Sequence, residues 1–581
     1  MTLAVETSFP ALLRERASLQ PDDTALTFVD YDLDWAGVPL SLTWPQLYLR
    51  ARNVARELQH CAVPGDRVMI VAPQGLEYII GFLGALQAGM IPVPLSVPFG
   101  GVADERVESV LRDATPAAVL TTSAVASAVA HSVTEAPTLA VIEVDTLDLD
   151  APVRGGAADV EPDDIQSVAY LQYTSGSTRA PAGVMISYQN VLANLQQITT
   201  DFLADGGLIT PPTILSWLPF YHDLGLIIGI CTPVVAGFPT VLTSPVSFLQ
   251  RPARWLQLAA SHPNVFTSAP NFAFDVAAKK TSDEDMAGLD LGDVLLIQSG
   301  GERVHPATIS RFSERFARFN LRDNVIQPSY GLAEATLYLA ARTPSEPPRT
   351  VHFDQDSLTT GHPVPAPGGT PLISYGAPLS AISPVLRIVD PDTLRECPPG
   401  TTGEIWAHGD NVSAGYWHKP EETARTFGAT ITDPAAGTPS GPWLRTGDLG
   451  FICDGELFIV GRIKDLLIVR GRNHAPDDVE STVTELTRGR VAAIAVAMDG
   501  VEQLVVVMEV KKRGDTAEEV AEYVAELRRA VTSAISNAHG LVAADLVLVA
   551  PGSIPITTSG KVRRRACVAH YEGTGFTRVD V

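Results

Sequence analysis

Cysteine is scarce in this chain: Cys61, Cys231, Cys397, Cys453 and Cys567 are the five among 581 residues, widely scattered and without a C-x-x-C pair. That excludes a disulfide framework and a zinc site of paired cysteines, and it fits a reducing, cytoplasmic setting. Positive charge is also short. With 42 Lys and Arg against 66 Asp and Glu the formal net charge is −24, which argues against nucleic acid or an anionic membrane as the primary partner. The opening residues, MTLAVETSFPALLRERASLQPDD, carry acids and arginines where a signal peptide needs an apolar core. Long apolar runs are missing as well. Two uncharged stretches, 78–103 and 224–250, are interrupted by Pro92, Pro94 and Pro98 and by Pro233, Pro239 and Pro245. Each therefore reads as a buried helix followed by a buried strand rather than a membrane span.

No low-complexity tract and no 20- to 50-residue repeat breaks the chain, so a solenoid is excluded. The length requires at least two hydrophobic cores. Short β-branched runs alternate with helical segments through the first two-thirds: residues 67–72, 118–122, 140–144, 264–267 and 294–299. Continuous apolar strands spaced by helices predict an α/β body with parallel sheets covered on both faces. After Lys464 the pattern becomes a small α+β unit, with a helix over 477–487, strands over 491–498 and 503–510, a helix from Ala517 to about Asn537, and a strand over 545–550. Val520, Val524, Leu527, Val531 and Ile535 recur at spacings of three or four, so that long helix should dock one face on a sheet. The expected division is a domain over 1–463 and a second over 464–581.

The most informative stretch is Tyr173 to Val184, YTSGSTRAPAGV, directly after the strand-like run Val168 to Gln172. Thr174, Ser175, Ser177 and Thr178 with Gly176 offer small donors and backbone N–H groups that can surround a phosphate. A plain Ser/Thr turn would account for this loop taken alone. It is not a Walker A loop, because no Gly-Lys-Ser/Thr ends it.

The loop resembles the phosphate loop of the adenylate-forming superfamily, which includes acyl-CoA synthetases, luciferases and peptide-synthetase adenylation domains. Further motifs like that superfamily's follow in its order: Trp217 to Gly225, Ser329-Tyr-Gly-Leu-Ala-Glu-Ala-Thr336, Gly403-Glu-Ile, Leu444-Arg-Thr-Gly-Asp-Leu-Gly450, Gly461-Arg-Ile-Lys-Asp465 and Ile554-Pro-Ile-Thr-Thr-Ser-Gly-Lys561. The resemblance spans nearly the whole chain, and its specificity lies in the ordered set. It implies a large N-terminal domain of layered sheets and helices with a small, mobile α+β C-terminal domain.

Joining a carboxylic acid to ATP brings two anions together, so cations and fixed donors must stand where charge develops. The resemblance assigns those tasks. Thr174, Ser175, Gly176, Ser177, Thr178 and Arg179 would cradle phosphates, and Gly301, Ser329, Tyr330 and Ala333 would wall the adenine. Asp448 and Arg462 would hold the ribose, Glu334 would hold Mg²⁺, and His222 would lie beside the acyl carboxylate. Lys561 would swing in to bridge carboxylate and α-phosphate, a point charge on a long stem. Lys464 would be the hinge between adenylation and transfer poses.

Two departures narrow the resemblance. Where most superfamily loops carry a glycine and then a lysine after the hydroxyls, Arg179 and Ala182 stand here, a form similar to the long-chain fatty-acyl-AMP ligases of actinobacteria. In addition, a Pro/Gly-rich segment over about 351–375, VHFDQDSLTTGHPVPAPGGTPLISY, looks like the insertion that distinguishes those ligases. The implied reaction is fatty acid plus ATP to fatty-acyl-AMP and pyrophosphate. The acyl group would then pass to a polyketide-synthase acyl carrier, as in the mycobacterial enzymes that feed envelope lipid synthesis. A fatty-acyl-CoA synthetase and a catalytically silent acyl-adenylate or lipid-binding protein are the alternatives. The acidic surface would need a basic patch to meet an acidic carrier, for which Arg563, Arg564, Arg565, Lys511, Lys512 and Arg513 are candidates.

Overall fold

The computed structural model describes residues 8–98, 105–133, 139–152, 168–174, 181–203, 210–342, 346–377, 380, 382–469, 472–498, 501–511, 516–557, 560–573 and 575–579. Its α/β body is built on two sheets with parallel centres. In the first, the strands Ile326–Tyr330, Val294–Ser299, Val265–Ala269, Thr213–Ser216, Thr240–Leu242 and Thr24–Asp30 run parallel in that order. Ala340–Ala341 and Val38–Thr43 close its two edges antiparallel. The second sheet is parallel throughout: Ile91–Leu95, Arg67–Val71, Ala118–Thr121 and Ala140–Glu143. The strands expected from apolar runs all form, because strands covered on both faces need no polar alternation.

The proline-interrupted stretches behave as expected. Leu76–Gln87 is a buried helix that ends before the buried strand Ile91–Leu95. Residues 223–236 form short helical turns leading to the strand Thr240–Leu242. Among the described residues no helix is long and apolar enough to cross a membrane.

A four-stranded antiparallel sheet, Val385–Val389, Gly403–His408, Leu444–Cys453 and Glu456–Arg462, follows in the chain. Beyond it, residues from Leu467 to Val579 gather into cores of their own around the strands Val491–Met498, Val501–Glu509 and Asp545–Val549. The helix Ala517–His539 begins with a capping box at Thr516 and Glu519 and ends on Gly540 in the left-handed region. Leu527, Val531 and Ile535 face the sheet from that helix, as their spacing predicts.

The segment read as an insertion is a β-hairpin. Thr350–Phe353 pairs antiparallel with Thr370–Ile373, and between them Asp354 caps the short helix Gln355–Thr359 by accepting from the Ser357 N–H at 2.8 Å. Phe353 and Leu372 are buried against Phe451 and Phe458, with the Phe353 ring 5.0 and 5.2 Å from the other two rings. The same hairpin lies against strand Arg472–His474 of the following unit through its short helix. Its base is tied into the body: Ser374 bridges Phe458, the Tyr375 N–H donates to the Leu457 carbonyl at 2.9 Å, and Ile373 and Tyr375 are part of the main core.

Phe353 is the hairpin's anchor, and removing its ring leaves a cavity that Phe451 and Phe458 cannot close. Phe353→Ala should cost about 3 kcal/mol of local stability. Amide hydrogen exchange across 350–373 is expected to rise on the order of 100-fold, with little change in the strands 294–299.

Candidate functional site

The site is assembled where the parallel sheet ends. The strand Ile326–Tyr330 delivers Ser329 and Tyr330, and the next turn, Ala333–Ala335, delivers Glu334. This turn is made by unusual backbone. Thr336 has φ +68° and ψ −59°, a γ-turn closed by the Leu337 N–H on the Ala335 carbonyl at 2.8 Å. Neighbours hold it there: the Thr336 hydroxyl donates to the Asn411 carbonyl at 2.8 Å, and the Asn411 amide donates to the Ala335 and Tyr338 carbonyls at 3.1 and 2.9 Å. Gly331 tolerates no side chain, since a Cβ would fall 1.6 Å from the Leu337 carbonyl oxygen. Such over-determined backbone marks a place where position matters more than local stability.

Glu334 is half-buried and accepts from the Tyr416 hydroxyl at 2.8 Å. Burial raises its pKa above the usual carboxylate range, opposed by that hydroxyl and by Arg462. Among the described residues no cluster of three or more His, Cys, Asp or Glu could cage a metal ion. A lone carboxylate whose charge is disfavoured by burial fits a divalent cation held mainly by phosphate oxygens and water, and does not fit an all-protein metal site.

Asp223, Gly300, Gly301, Ser329, Tyr330 and Gly331 line a small cleft. Gly301 takes φ +79°, a conformation glycine adopts without cost, and a Cβ on Gly300 would meet the Ser329 hydroxyl at 2.7 Å. This side of the slot is thus walled by backbone. Ser299 Oγ is buried beside it without a hydrogen-bond partner among the described residues.

Asp448 and Arg462 face each other across the antiparallel pair Leu444–Cys453 and Glu456–Arg462, with Arg462 Nε 3.2 Å from Asp448 Oδ1. The Tyr330 hydroxyl donates to Asp448 Oδ2 at 2.8 Å, which joins the expected adenine and ribose residues in one unit. Asp448 holds Arg462 firmly in its charged form. On the acyl side, the His222 ring pairs through Nδ1 with the carboxylate of Asp223. Burial pushes Asp223 up, but His222, the Leu224 N–H and Lys561 outweigh it and hold that carboxyl below its usual range.

Lys561 comes from the C-terminal unit. Its carbonyl accepts from the Thr557 N–H at 2.8 Å and its N–H donates to the Thr557 hydroxyl at 3.1 Å, so the lysine leaves a closed turn. Burial and the nearby Arg462 lower its pKa, while Glu302, Asp223 and Asp448 oppose that shift. The electrostatic neighbourhood of this one ammonium therefore draws on separate segments of the body, around Asp223, Glu302, Asp448 and Arg462.

The structure accordingly brings together Lys561, Glu334, His222, Gly301, Ser329, Tyr330, Ala333, Asp448 and Arg462. Thr174 ends the strand Val168–Thr174, which pairs with Ala182–Ser187, so the hydroxyl loop connects two strands of a hairpin. Ser175, Gly176, Ser177, Thr178 and Arg179 lie outside the described residues. Lys419 Nζ donates to the Pro181 carbonyl at 2.7 Å at the loop's exit. Lys464 is exposed in the turn Ile463–Asp465 between the body and the C-terminal cores.

Sequence reasoning missed Asp223, Tyr416 and Asn411. Asp223 was legible as the neighbour of His222; the other two stand far along the chain from Glu334 and meet it only through folding.

A family profile described as AMP-binding enzyme matches residues 13–417, and one described as Disco-interacting protein 2-like, AMP domain, matches 464–577. The long-chain-fatty-acid–AMP ligase FadD28 of Mycobacterium tuberculosis is 60% identical over 581 residues, 99% of each chain. A second M. tuberculosis relative, provisionally named as the fatty-acid–CoA ligase fadD25, is 56% identical over 586 residues, 99% of each chain. Among solved structures, a fatty acid AMP ligase from Legionella pneumophila is 33% identical with TM-score 0.71, covering 98% of this chain and 97% of its own.

Because the ionised form of Glu334 is the one burial disfavours, its contribution to stability is largest at low pH and is lost as pH rises through the raised pKa. Glu334→Gln should therefore raise the melting temperature of the ligand-free protein by about 1–2 °C near pH 8. The gain should vanish near pH 4, and adenylation should fall sharply at every pH.

Proposed function

The chain belongs to the AMP-binding enzyme family, and we propose that it is a long-chain fatty-acyl-AMP ligase, which joins a fatty acid to ATP and releases pyrophosphate. The observation that carries this is the family match over residues 13–417 together with the unit formed by Tyr330, Asp448 and Arg462, whose electrostatic surroundings also include Lys561. A carboxylate attacking an α-phosphate needs one cation within reach of both anions, and this lysine stands among the groups that would hold each of them.

In the proposed mechanism Tyr330, Ser329, Gly301 and Ala333 position the base, and Asp448 accepts from the ribose hydroxyls while Arg462 steadies it. Thr174 and the loop from Ser175 to Arg179 receive the phosphates. His222, oriented through Nδ1 by Asp223, presents its other ring nitrogen toward the fatty acid carboxylate. Glu334 would hold Mg²⁺, which when bound neutralises phosphate charge. Lys561 offsets the charge that builds between carboxylate and α-phosphate. Rotation of 464–581 about Lys464 would then withdraw the lysine and admit the phosphopantetheine thiol of a polyketide-synthase carrier, with the hairpin 350–373 restraining that rotation.

A fatty-acyl-CoA synthetase is the second reading, favoured by the name of the 56% identical relative. The hairpin favours the first, because it is anchored on the body through Phe353 and lies against Arg472–His474 just past the hinge. One proposed element of the carrier surface is corrected by the structure. Arg564 is tied into Asp477 and Glu480 at 2.6 Å, so it is a structural ion-pair partner, while Arg563, Arg565 and Lys511 are exposed. Lys512 and Arg513 lie outside the described residues.

Lys561→Ala should slow acyl-adenylate formation by two to three orders of magnitude with little change in ATP affinity, measured by single-turnover kinetics. An unchanged rate would remove the lysine from the mechanism. In the unaltered enzyme the rate should decline as pH rises through a pKa below the ordinary lysine value, since only the ammonium bridges the two anions.

Product analysis separates the two readings. With CoA as sole acceptor the intact enzyme should accumulate acyl-AMP; abundant acyl-CoA would defeat the ligase reading. Replacing 354–369 by Asn-Gly joins the paired Phe353 and Thr370 by a two-residue hairpin turn and spares Tyr375. If the hairpin biases the rotation by 1–3 kcal/mol, that variant should raise acyl-CoA formation roughly 5- to 150-fold with adenylation retained. No gain in the folded variant would remove the restraint alone.

A further inference from the structure

The Arg303 side chain stands where three parts of the molecule meet. It directly follows Gly301 and Glu302 of the adenine loop, it lines a small cleft with Leu372 and Ile373 of the hairpin, and it reaches the first turn of helix Pro476–Thr487. There Arg303 Nη1 lies 2.8 Å from Asp478 Oδ1, an ion pair by distance whose angles do not make a hydrogen bond at that atom, with the Arg303 side chain only 11% exposed. Charge attraction from Asp478 and Asp477 outweighs burial and keeps that guanidinium protonated.

From Asp478 a short line of contacts returns to the catalytic lysine. The neighbouring Asp477 accepts from Arg564 Nη2 at 2.6 Å, and the same guanidinium donates to both Glu480 oxygens at 2.7 and 2.6 Å. Arg564 opens the helix Arg564–Glu572, three residues beyond Lys561, and the Arg563 N–H donates to the Pro555 carbonyl at 2.9 Å, which fixes the lysine turn to that helix start. The lysine is thus braced on helix Pro476–Thr487, and that helix is referenced to the adenine loop through Arg303. A second ion pair across the same boundary, Arg311 with Glu485 at 3.9 Å, is exposed and long, so it contributes little.

We infer that the Arg303–Asp478 pair is an interdomain latch: two positioning residues that register the C-terminal unit with Lys561 in the adenylation site. A rotation that withdraws Lys561 must carry Asp478 away and leave a largely buried guanidinium without its carboxylate. The pair therefore favours the lysine-in pose, and its loss should weaken the first half-reaction while sparing the second.

The inference rests on the adenylation reading, which exchange activity of the unaltered enzyme tests by itself. Asp478→Asn should lower palmitate-dependent ATP–pyrophosphate exchange roughly 5- to 150-fold through kcat. The KM for palmitate should stay within twofold, because the acyl side belongs to the body, and thiolysis of supplied palmitoyl-AMP by pantetheine should not fall. The charge-swapped pair, Arg303→Glu with Asp478→Lys, should recover at least tenfold over the poorer single variant. A folded D478N with less than a fivefold loss overturns the latch, as does an equal loss in thiolysis. If the single variants melt early, the swap decides: restored melting without restored exchange would show a bridge that only holds the structure together.

Discussion

One charged side chain from a separately formed core must arrive within reach of groups that belong to another core, and the rest of the structure is arranged around that requirement. Lys561 is an expensive group to bury, and burial together with Arg462 pulls its pKa down. Asp223, Glu302 and Asp448 counter this, and they come from three different segments of the body. Those three carboxylates favour the ammonium at this place, and the ion pair of Arg303 with Asp478 joins the same two parts of the chain. The acidity of the whole chain does not contradict its chemistry with anions. A site that must accept phosphates needs few cations, placed well, and here Asp448 keeps Arg462 charged while the carboxylates near Lys561 oppose the loss of its proton.

The same logic explains why Glu334 sits in strained backbone. A γ-turn at Thr336 and a crossing too tight for any residue but glycine at 331 fix the carboxylate's origin, and Asn411 and Tyr416 lock it from a segment about eighty positions away. The ligand-free protein holds a carboxylate that burial disfavours. This is preorganisation for positive charge, with the cost carried by the folded state before any ligand arrives.

Much of this was legible in the sequence, and the parts that were not share a cause. Strands such as Val294–Ser299 and the helix from Ala517 declare themselves because their apolar spacing is local. The ordered motifs located Glu334, Asp448 and Arg462, since each lies in a run whose residues act together. What failed required knowledge of partners. Arg564 reads in sequence as one of three surface arginines, yet Asp477 and Glu480 claim it. Tyr375 closes the segment read as an insertion, and only the fold shows that its hydroxyl accepts from the Val304 N–H at 2.9 Å and its ring lies against Tyr330. The hydroxyl loop reads as strand followed by turn, but nothing local says that the next element pairs back on the same strand.

In the proposed reading, the hairpin is a segment with no catalytic group that would still act on the reaction. Its anchor rings, Phe451 and Phe458, belong to the same two strands that carry Asp448 and Arg462. A displacement of the hairpin would therefore disturb the ribose pair through rigid strand backbone, so the body holds it in one place. Its short helix lies against Arg472–His474, which follows Lys464 by fewer than ten residues. An obstacle beside a hinge need block only a small arc to exclude a large rotation of the domain beyond it. The Arg303–Asp478 pair would act from the opposite sense, as attraction in the closed pose rather than obstruction of the open one. Two weak biases on one equilibrium would multiply in population, so together they would favour the lysine-in pose without any single contact too strong to be released.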